Sequence, residues 1–245
     1  MRKLANWGTG LLVLAALVGL AVGIQRWMER SQTFRLQEVA VSGNRLLPTE
    51  TILKLVAVQH GMRITDISLK DIQHRLEQNP FIETALVSRR FPSTLQVEVV
   101  ERVPVAFLAG RRLFMVDKNA VLLPVLHSSA LGSLPVINGV GRFREEPGKP
   151  VASARVHQAL ELLHSVRTAD MKLYQRLSEV TFSAEKGFVV YFTDVRFPVY
   201  FGFDGFFRKA QKTAAFFEEV KREKRYARLR YVDLRYRDQV VAKFR

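Results

Sequence analysis

The sequence predicts an α+β protein with one transmembrane helix, a first domain ordered strand-helix-helix-strand-strand, and a second, mostly antiparallel β domain with flanking helices. Three observations predict this fold class. An apolar run without charges lies near the N-terminus, hydrophobic residues then recur with strand and helix periods, and after residue 103 the pattern changes to short strands and turns. The 245 residues leave room for two domains, and 48% hydrophobic residues exclude wholesale disorder.

Cysteine usage and charge limit the function classes further. The chain has no cysteine, which excludes disulfide bonds, thiolate metal sites, catalytic thiols and a lipidated cysteine. The formal net charge of +15 is unevenly distributed. Residues 34–102 carry nine Lys/Arg against eight Asp/Glu, whereas residues 103–245 carry 25 against 14. Any role of the excess charge therefore belongs to the second domain.

Residues 7–24 form the apolar run, eighteen positions without a charge, and the two tryptophans of the chain flank it. As a helix this run is about 27 Å long, close to the ~30 Å of a bilayer core. It predicts a transmembrane helix over 7–26, a cytoplasmic tail over 1–6 and an exported body. The alternative is a cleaved signal peptide with a small-residue site at 21–23, but the run is longer than the usual apolar region of such a peptide.

The first domain is predicted over residues 34–102. A strand pattern at 34–42 ends at a Gly-Asn turn, and two helices follow, one opened by Pro48 and one by a capping box at Ser68. The second helix stops before Asn79-Pro80, because the residue before proline disfavours the helical conformation. Strands are predicted at 82–89 and 94–101.

Four short motifs in this region carry a specific resemblance. They are Val-Ser-Gly-Asn at 41–44, Asn-Pro at 79–80, Arg-Arg-Phe-Pro at 89–92 and Glu-Arg-Val-Pro-Val-Ala at 101–106. Together with the element order, they resemble the POTRA domain of the FtsQ/DivIB family of bacterial cell-division proteins. The Arg-Phe-Pro turn followed at this distance by the Glu-Arg-Val-Pro-Val-Ala segment is the most specific part.

The second domain, residues 103–245, also resembles this family. The predicted elements are strands at 107–109, 113–116, 121–123, 180–183, 188–193, 197–203, 231–236 and 240–244, with helices at 152–166 and 205–224. The segments Leu-Pro-Val-Ile-Asn-Gly at 134–139 and Val-Asp-Leu-Arg-Tyr at 232–236 are similar to recurrent family segments. Three positions depart from the family pattern: Ala120 and Gln239 replace turn glycines, and Arg237 replaces a proline or an acidic residue.

Motifs for catalysis are absent from the sequence. It contains no phosphate-binding glycine loop, Gly-x-Ser-x-Gly elbow or zinc-protease helix, so we expect no enzyme, no cofactor and no metal site. His157, Glu161 and His164 share one helix face and could offer metal ligands, but a solvated face is the favoured interpretation. The basic run at 221–225 favours a solvated helix end, with anionic lipid headgroups as the alternative. A predicted membrane anchor and exported body argue against nucleic-acid binding.

The resemblance implies a non-enzymatic scaffold of cell division. The protein would be a single-pass protein of the inner membrane at the division septum, with a cytoplasmic N-terminus and a periplasmic body. Its POTRA domain would contact other division proteins, and its β domain would bind the partners FtsB and FtsL, which links early and late division proteins. A POTRA-bearing export or outer-membrane assembly factor is the second hypothesis.

The resemblance also implies where the partner binds. In this family the FtsB contact lies on the last strand and its neighbour, where the partner extends the sheet. The matching positions are Lys186, Arg235, Tyr236, Asp238 and Phe244. An edge strand suits this mode because its unpaired amides and carbonyls are completed by a partner strand. The alternative is that Tyr236 and Phe244 pack into the domain core.

Overall fold

A computed structural model of the chain describes residues 14–23, 32–126, 133–222, 228–236 and 239–244. Residues 14–23 are helical (α1). The predicted tail at 1–6 lies outside the described residues, and so do 7–13 and 24–26 of the predicted anchor at 7–26. Within the described ranges, no helix is both long enough and apolar enough to cross a membrane.

The chain divides into two compact units, one containing Ile82–Glu101 and the residues before Asn79, the other containing Asn79–Phe81 and the residues from Arg102 onward. The elements of the first unit are β1 (Glu38–Ser42), α2 (Thr49–Val56), α3 (Leu69–Glu77), β2 (Ile82–Arg90) and β3 (Thr94–Glu101). This is the predicted order strand, helix, helix, strand, strand, and it fits a POTRA domain.

The sheet of the first unit has the order β1-β3-β2, with β3 parallel to β1 and antiparallel to β2. Its core forms on one face, because Leu95, Val97 and Val99 alternate with polar residues along β3 and are buried. The helices contribute buried side chains such as Ile52 and Leu76. The alternation of β3 therefore specifies which face the core occupies.

Two sets of hydrogen bonds order a helix start and a loop in this unit. The Ser68 hydroxyl accepts a hydrogen bond from the Asp71 amide at 3.4 Å and caps α3, as the sequence predicts. The Glu101 carboxylate accepts three backbone N–H groups from the loop after β1, those of Arg45, Leu46 and Leu47, at 2.8, 2.6 and 2.9 Å. A side chain at the end of β3 thus orders a loop more than fifty residues earlier in the chain.

The second unit is a mixed, sheet-rich α+β fold. Its strands are β4 (Pro104–Ala109), β5 (Leu113–Asp117), β6 (Leu122–Leu123), β7 (Val136–Asn138), β8 (Leu177–Ser183), β9 (Gly187–Phe192), β10 (Val199–Gly202), β11 (Leu229–Asp233) and β12 (Val241–Phe244). Its helices are α4 (Ala154–Ala169), α5 (Met171–Gln175) and α6 (Phe206–Arg222).

The sheet order is β12-β11-β10-β9-β8-β7-β4-β5-β6. Most neighbours are antiparallel, whereas β4–β7, β7–β8 and β10–β11 are parallel. Buried side chains of α4 and α6, such as Leu163 and Phe217, join those of the sheet, such as Val190, in one hydrophobic core. The helices therefore cover one face of the sheet.

Three local features of this unit differ from the predicted elements or explain an unusual residue. The helix α5 and the three-residue strand β7 were not predicted as elements. Strand β11 ends at Asp233 instead of continuing to Tyr236, because the Asp233 carboxylate accepts the Arg235 amide at 3.0 Å and turns the chain. Ala120 has φ +61° and is fully buried, so the alanine keeps the left-handed conformation of a turn glycine.

Candidate functional site

Strand β12 forms one edge of the nine-stranded sheet. It pairs antiparallel with β11, with Asp233 opposite Val241 and Leu229 opposite Phe244. No strand among the described residues lies on its other side. Every second amide and carbonyl of β12 therefore points to an open edge, where another extended segment could pair.

The side chains of β12 divide between the two faces of the sheet. Ala242 and Phe244 are half-buried and pack against the core of the second unit. Lys243 points away from that core and is exposed. The packing alternative therefore describes Phe244 correctly. It does not describe Tyr236, which is 51% exposed.

Lys186 and Arg235 lie at the end of the sheet where β11 finishes and β12 begins. Lys186 is in the turn between β8 and β9, and its Nζ lies 5.1 Å from the centre of the Tyr200 ring. The Arg235 guanidinium carbon lies 5.5 Å from the same centre. Both distances are within the range of a cation–π contact. The fold thus brings together two positions that are 49 residues apart in the sequence.

Asp233 fixes the orientation of Arg235. Its carboxylate oxygens accept Nε at 3.0 and 3.1 Å and an Nη at 2.7 Å, and they also accept the Arg235 backbone amide. Burial alone would raise the pKa of the Asp233 carboxyl, but the hydrogen bonds from Arg235, with the charges of Arg235 and Lys209, hold that pKa below its ordinary value. The hydrogen bond to Asp233 in turn raises the pKa of Arg235. The guanidinium is therefore charged and held in a fork at the sheet end.

Two glycines make this arrangement possible. Gly187 has φ +71°, and a Cβ there would lie 2.4 Å from the carbonyl carbon of Gly202. A Cβ at Gly202 would lie 3.1 Å from Cγ of Arg235. The turn that carries Lys186 therefore sits directly against β10, and Arg235 lies across the end of that strand.

A groove of about 850 Å³ opens beside Arg235, between α4 and the start of α6. Its lining mixes acidic and basic groups, including Glu161, Asp204 and Lys209. The Lys209 ammonium donates to the carbonyl of Phe201 and to Asp204, at 2.8 and 3.2 Å. Lys209 is therefore paired with Asp204, and Arg235 is paired with Asp233.

The five predicted site residues therefore lie in different parts of the second unit. Lys186 and Arg235 share the Tyr200 ring, and Tyr236 is the exposed neighbour of Arg235. Phe244 packs toward the opposite, helix-covered face, and Asp238 lies outside the described residues. Tyr200 was missed because alternation with buried Val199 and Phe201 shows only that it faces away from the core.

The histidine-containing helix face is exposed. His157, Glu161 and His164 all point to solvent along α4. Among the described parts of the chain, no cluster of three or more histidine, aspartate or glutamate side chains has the arrangement of a metal site. The three side chains are exposed, as a solvated helix face requires.

Comparison with known protein families gives two adjoining matches. Residues 34–102 match the family described as "POTRA domain, FtsQ-type", and residues 103–243 match the family described as "FtsQ/DivIB, C-terminal related". The first match covers the strand-helix-helix-strand-strand unit. The second covers the nine-stranded sheet and its helices.

Several curated proteins are similar over nearly the whole chain. "Cell division protein FtsQ" of Geobacter sp. (strain M21) is 27% identical over 99% of this chain and 91% of its own length. The protein of the same name from Geotalea daltonii is 26% identical over 99% of this chain and 88% of its own. That of Syntrophotalea carbinolica is 27% identical over 98% and 84%.

Proposed function

The chain belongs to the FtsQ/DivIB family, and on this basis we propose that it is a non-enzymatic scaffold of bacterial cell division. It links early and late division proteins during septum formation. The POTRA domain, residues 34–102, contacts other proteins of the division machinery, and the β domain, residues 103–245, binds FtsB and FtsL. The family membership supports a role in cell division, and the open edge of β12 supports binding of a partner by strand addition.

The proposed location is the inner membrane at the division septum. The charge-free run at 7–24 supports a membrane anchor over 7–26, with residues 1–6 in the cytoplasm and the body in the periplasm. Alkaline phosphatase fused after Arg245 should be active and remain with the membranes. Activity in the soluble periplasmic fraction would show that the segment is cleaved, and a fluorescent fusion without midcell rings would contradict the septal location.

The single observation that carries the partner site is the coincidence of an open strand edge with a cationic sheet end. A partner strand that pairs with β12 gains backbone hydrogen bonds, and carboxylates on the same partner meet Lys186 and Arg235. Tyr236 is exposed beside Arg235 and offers the partner an aromatic contact. Asp238 remains a proposed contact from its matching position. Phe244 supports the edge from beneath, because it packs on the core.

Proline substitution tests the edge directly. Of two successive strand residues, one amide points to β11 and the other to the open edge. Val241→Pro and Ala242→Pro therefore form a matched pair, and the variant whose amide faced the open edge should lose partner binding and keep its melting transition. Affinity is measured by titrating residues 31–245 with FtsB from the same organism.

Truncation of Tyr236 tests the side-chain contribution. Tyr236→Ala should weaken FtsB binding by about 30-fold, because loss of an aromatic anchor commonly costs ~2 kcal/mol or more. Lys243→Ala is a control at another exposed side chain, on β12 itself, and it keeps the edge amides. Unchanged affinity in folded Tyr236→Ala and proline variants would rule out this edge as the partner site.

A further inference from the structure

Both cations of the sheet end contact the ring of Tyr200. The Lys186 ammonium approaches it from the turn before β9, and the Arg235 guanidinium from the residues that follow β11. Because both distances end at the same ring centre, the two cationic centres are no farther apart than the sum of those distances. The ring of Tyr231 lies beside it, at 5.7 Å and an interplanar angle of 42°.

The two cations are held by different means. Arg235 has the buried carboxylate of Asp233 as well as the ring. Lys186 forms no ion pair with a carboxylate in the described part of the chain, and its ammonium lies against the Tyr200 ring. A lysine in a turn has four rotatable bonds and loses much rotamer entropy when a partner fixes it. The Tyr200 ring limits that freedom before any partner arrives.

We infer that Tyr200 is a positioning residue of the partner site: its ring holds Lys186 and Arg235 as a preorganised cationic pair for carboxylates of a partner strand on β12. This role rests on the proposed function. Preorganisation favours binding because the ordering cost is already met in the free protein. The negative face of the ring also offsets the repulsion between the two cations.

The fold supports this role through the backbone around the ring. Gly187 and Gly202 bring the Lys186 turn against β10 with no side chain in between. Tyr200 is opposite Val189 on one side and Asp233 on the other, so the ring is in the row of side chains that leads to Val241 on the edge strand. The cationic pair is therefore aligned with the edge that the partner extends.

The test combines a spectroscopic and a binding measurement on the full chain in detergent micelles. Reductive ¹³C-dimethylation of the lysines, with Lys186→Arg to assign the signal, reports whether the Lys186 methyl groups experience the ring current of Tyr200. The upfield shift should be present in the protein and in Tyr200→Phe, and absent in Tyr200→Leu. This measurement needs no partner.

The affinity for the extracytoplasmic segment of FtsB from the same organism should depend on an aromatic ring at position 200. Tyr200→Leu should weaken affinity about 5- to 30-fold, through a faster off-rate, whereas Tyr200→Phe restores it to within about threefold. In a Lys186→Met/Arg235→Met background, Tyr200→Leu should have no further effect. Tyr191→Leu, the same change at an exposed tyrosine of β9, is the matched control.

Two results would overturn the inference while FtsB still binds. The first is a Lys186 signal that Tyr200→Leu leaves unchanged. The second is a loss of affinity from Tyr200→Leu that is as large in the Lys186→Met/Arg235→Met background as in the parent. The second result would mean that the ring only supports the sheet. If the ring-current shift is present but the unmodified chain does not bind FtsB, the proposed function is wrong, and the positioning role is wrong with it.

Discussion

The Glu101 carboxylate offers the sharpest test of how the first unit is held together. Its two oxygens accept three backbone amides of the loop at Arg45, Leu46 and Leu47, at 2.6 to 2.9 Å. Glu101→Gln keeps the size of the side chain but replaces one acceptor oxygen by an NH₂ group. At best, the amide oxygen takes the place of Oε2 and keeps two of the three hydrogen bonds.

The cost follows from the strength of these bonds. A hydrogen bond to a charged group contributes about 1.5–3 kcal/mol and one between neutral groups about 0.5–1.5 kcal/mol. Losing one bond and weakening two, with water available to the exposed Arg45 amide, gives roughly 2–4 kcal/mol. For a unit of this size we expect the melting temperature to fall on the order of 10–30 °C.

The distribution of aromatic residues makes the assay selective. Residues 34–102 contain no tyrosine or tryptophan, whereas all six tyrosines lie in the second unit. In residues 31–245, tyrosine fluorescence therefore follows the second unit alone, and far-UV circular dichroism follows both. Glu101→Gln should shift only the unfolding transition of the first unit, which circular dichroism detects and tyrosine fluorescence does not. Glu98→Gln is the same change at an exposed position of β3, where the carboxylate accepts a hydrogen bond from the Gln96 side chain, and it should change stability by less than about 0.5 kcal/mol.

Two outcomes would refute this reasoning. Equal stability of the Glu101→Gln and Glu98→Gln variants would show that the three amides are satisfied as well by water. If the tyrosine-fluorescence transition of the second unit shifts as much as the transition of the first unit, the effect of the substitution is not confined to the first unit.

Three further predictions concern the second unit. Gly187→Ala should destabilise it by at least about 3 kcal/mol, since the new Cβ meets the backbone of Gly202 at a left-handed φ; a fluorescence melt within 2 °C of the parent would contradict this. Phe244→Ala should lower the stability measured in the same melt by ~1–2 kcal/mol, because the ring is half-buried. Lys243→Ala, at an exposed side chain, should lower it by less than about 0.5 kcal/mol, and equal losses would contradict the packing of Phe244. Asp233 has a folded pKa below its ordinary 3.8, so its stabilisation is complete above that pH and lost as pH falls through the lower value. Asp233→Asn should therefore lose less stability than the parent between about pH 5 and pH 2, and parallel acid titrations would contradict this.

Sequence reasoning located the first unit closely because its signals are local. The alternation of β3 predicts a strand over 94–101, and the structure has it at Thr94–Glu101. Ser68 caps the helix it was expected to cap, and that helix ends before Asn79-Pro80. Each of these signals depends on residues a few positions apart, which the chain shows directly.

The missed elements of the second unit have no comparable signal. A strand of three residues such as β7 is too short to show a period. The helix α5 does begin with a cap, since Asp170 accepts the Leu173 amide at 2.8 Å, but it has only five residues and no repeat. The strand β7 is ordered by pairing with β4 and β8, which are distant in sequence. The helix α5 packs on α4, which directly precedes it, but its five residues are too few to show a helical repeat.

The candidate site was only partly predictable for the same reason. Lys186 and Arg235 were named from resemblance, and the structure adds the ring that joins them. The contact depends on the register between β9 and β10, so nothing near Tyr200 in the sequence indicates it. Phe244 has two interpretations, a partner contact implied by the resemblance and packing into the core, and its half-buried ring favours the second.

The short ladder between β11 and β12 also has a mechanical consequence. A load that arrives through a strand paired to β12 reaches the other eight strands only across that four-residue ladder and through the half-buried side chains of Val240, Ala242 and Phe244. Under tension we expect β12 to separate before the rest of the sheet, because only this ladder and these half-buried side chains hold it. The lifetime of a loaded complex is then governed by the rate of that separation. Substitutions beneath β12 will shorten this lifetime even where they leave the unloaded affinity unchanged.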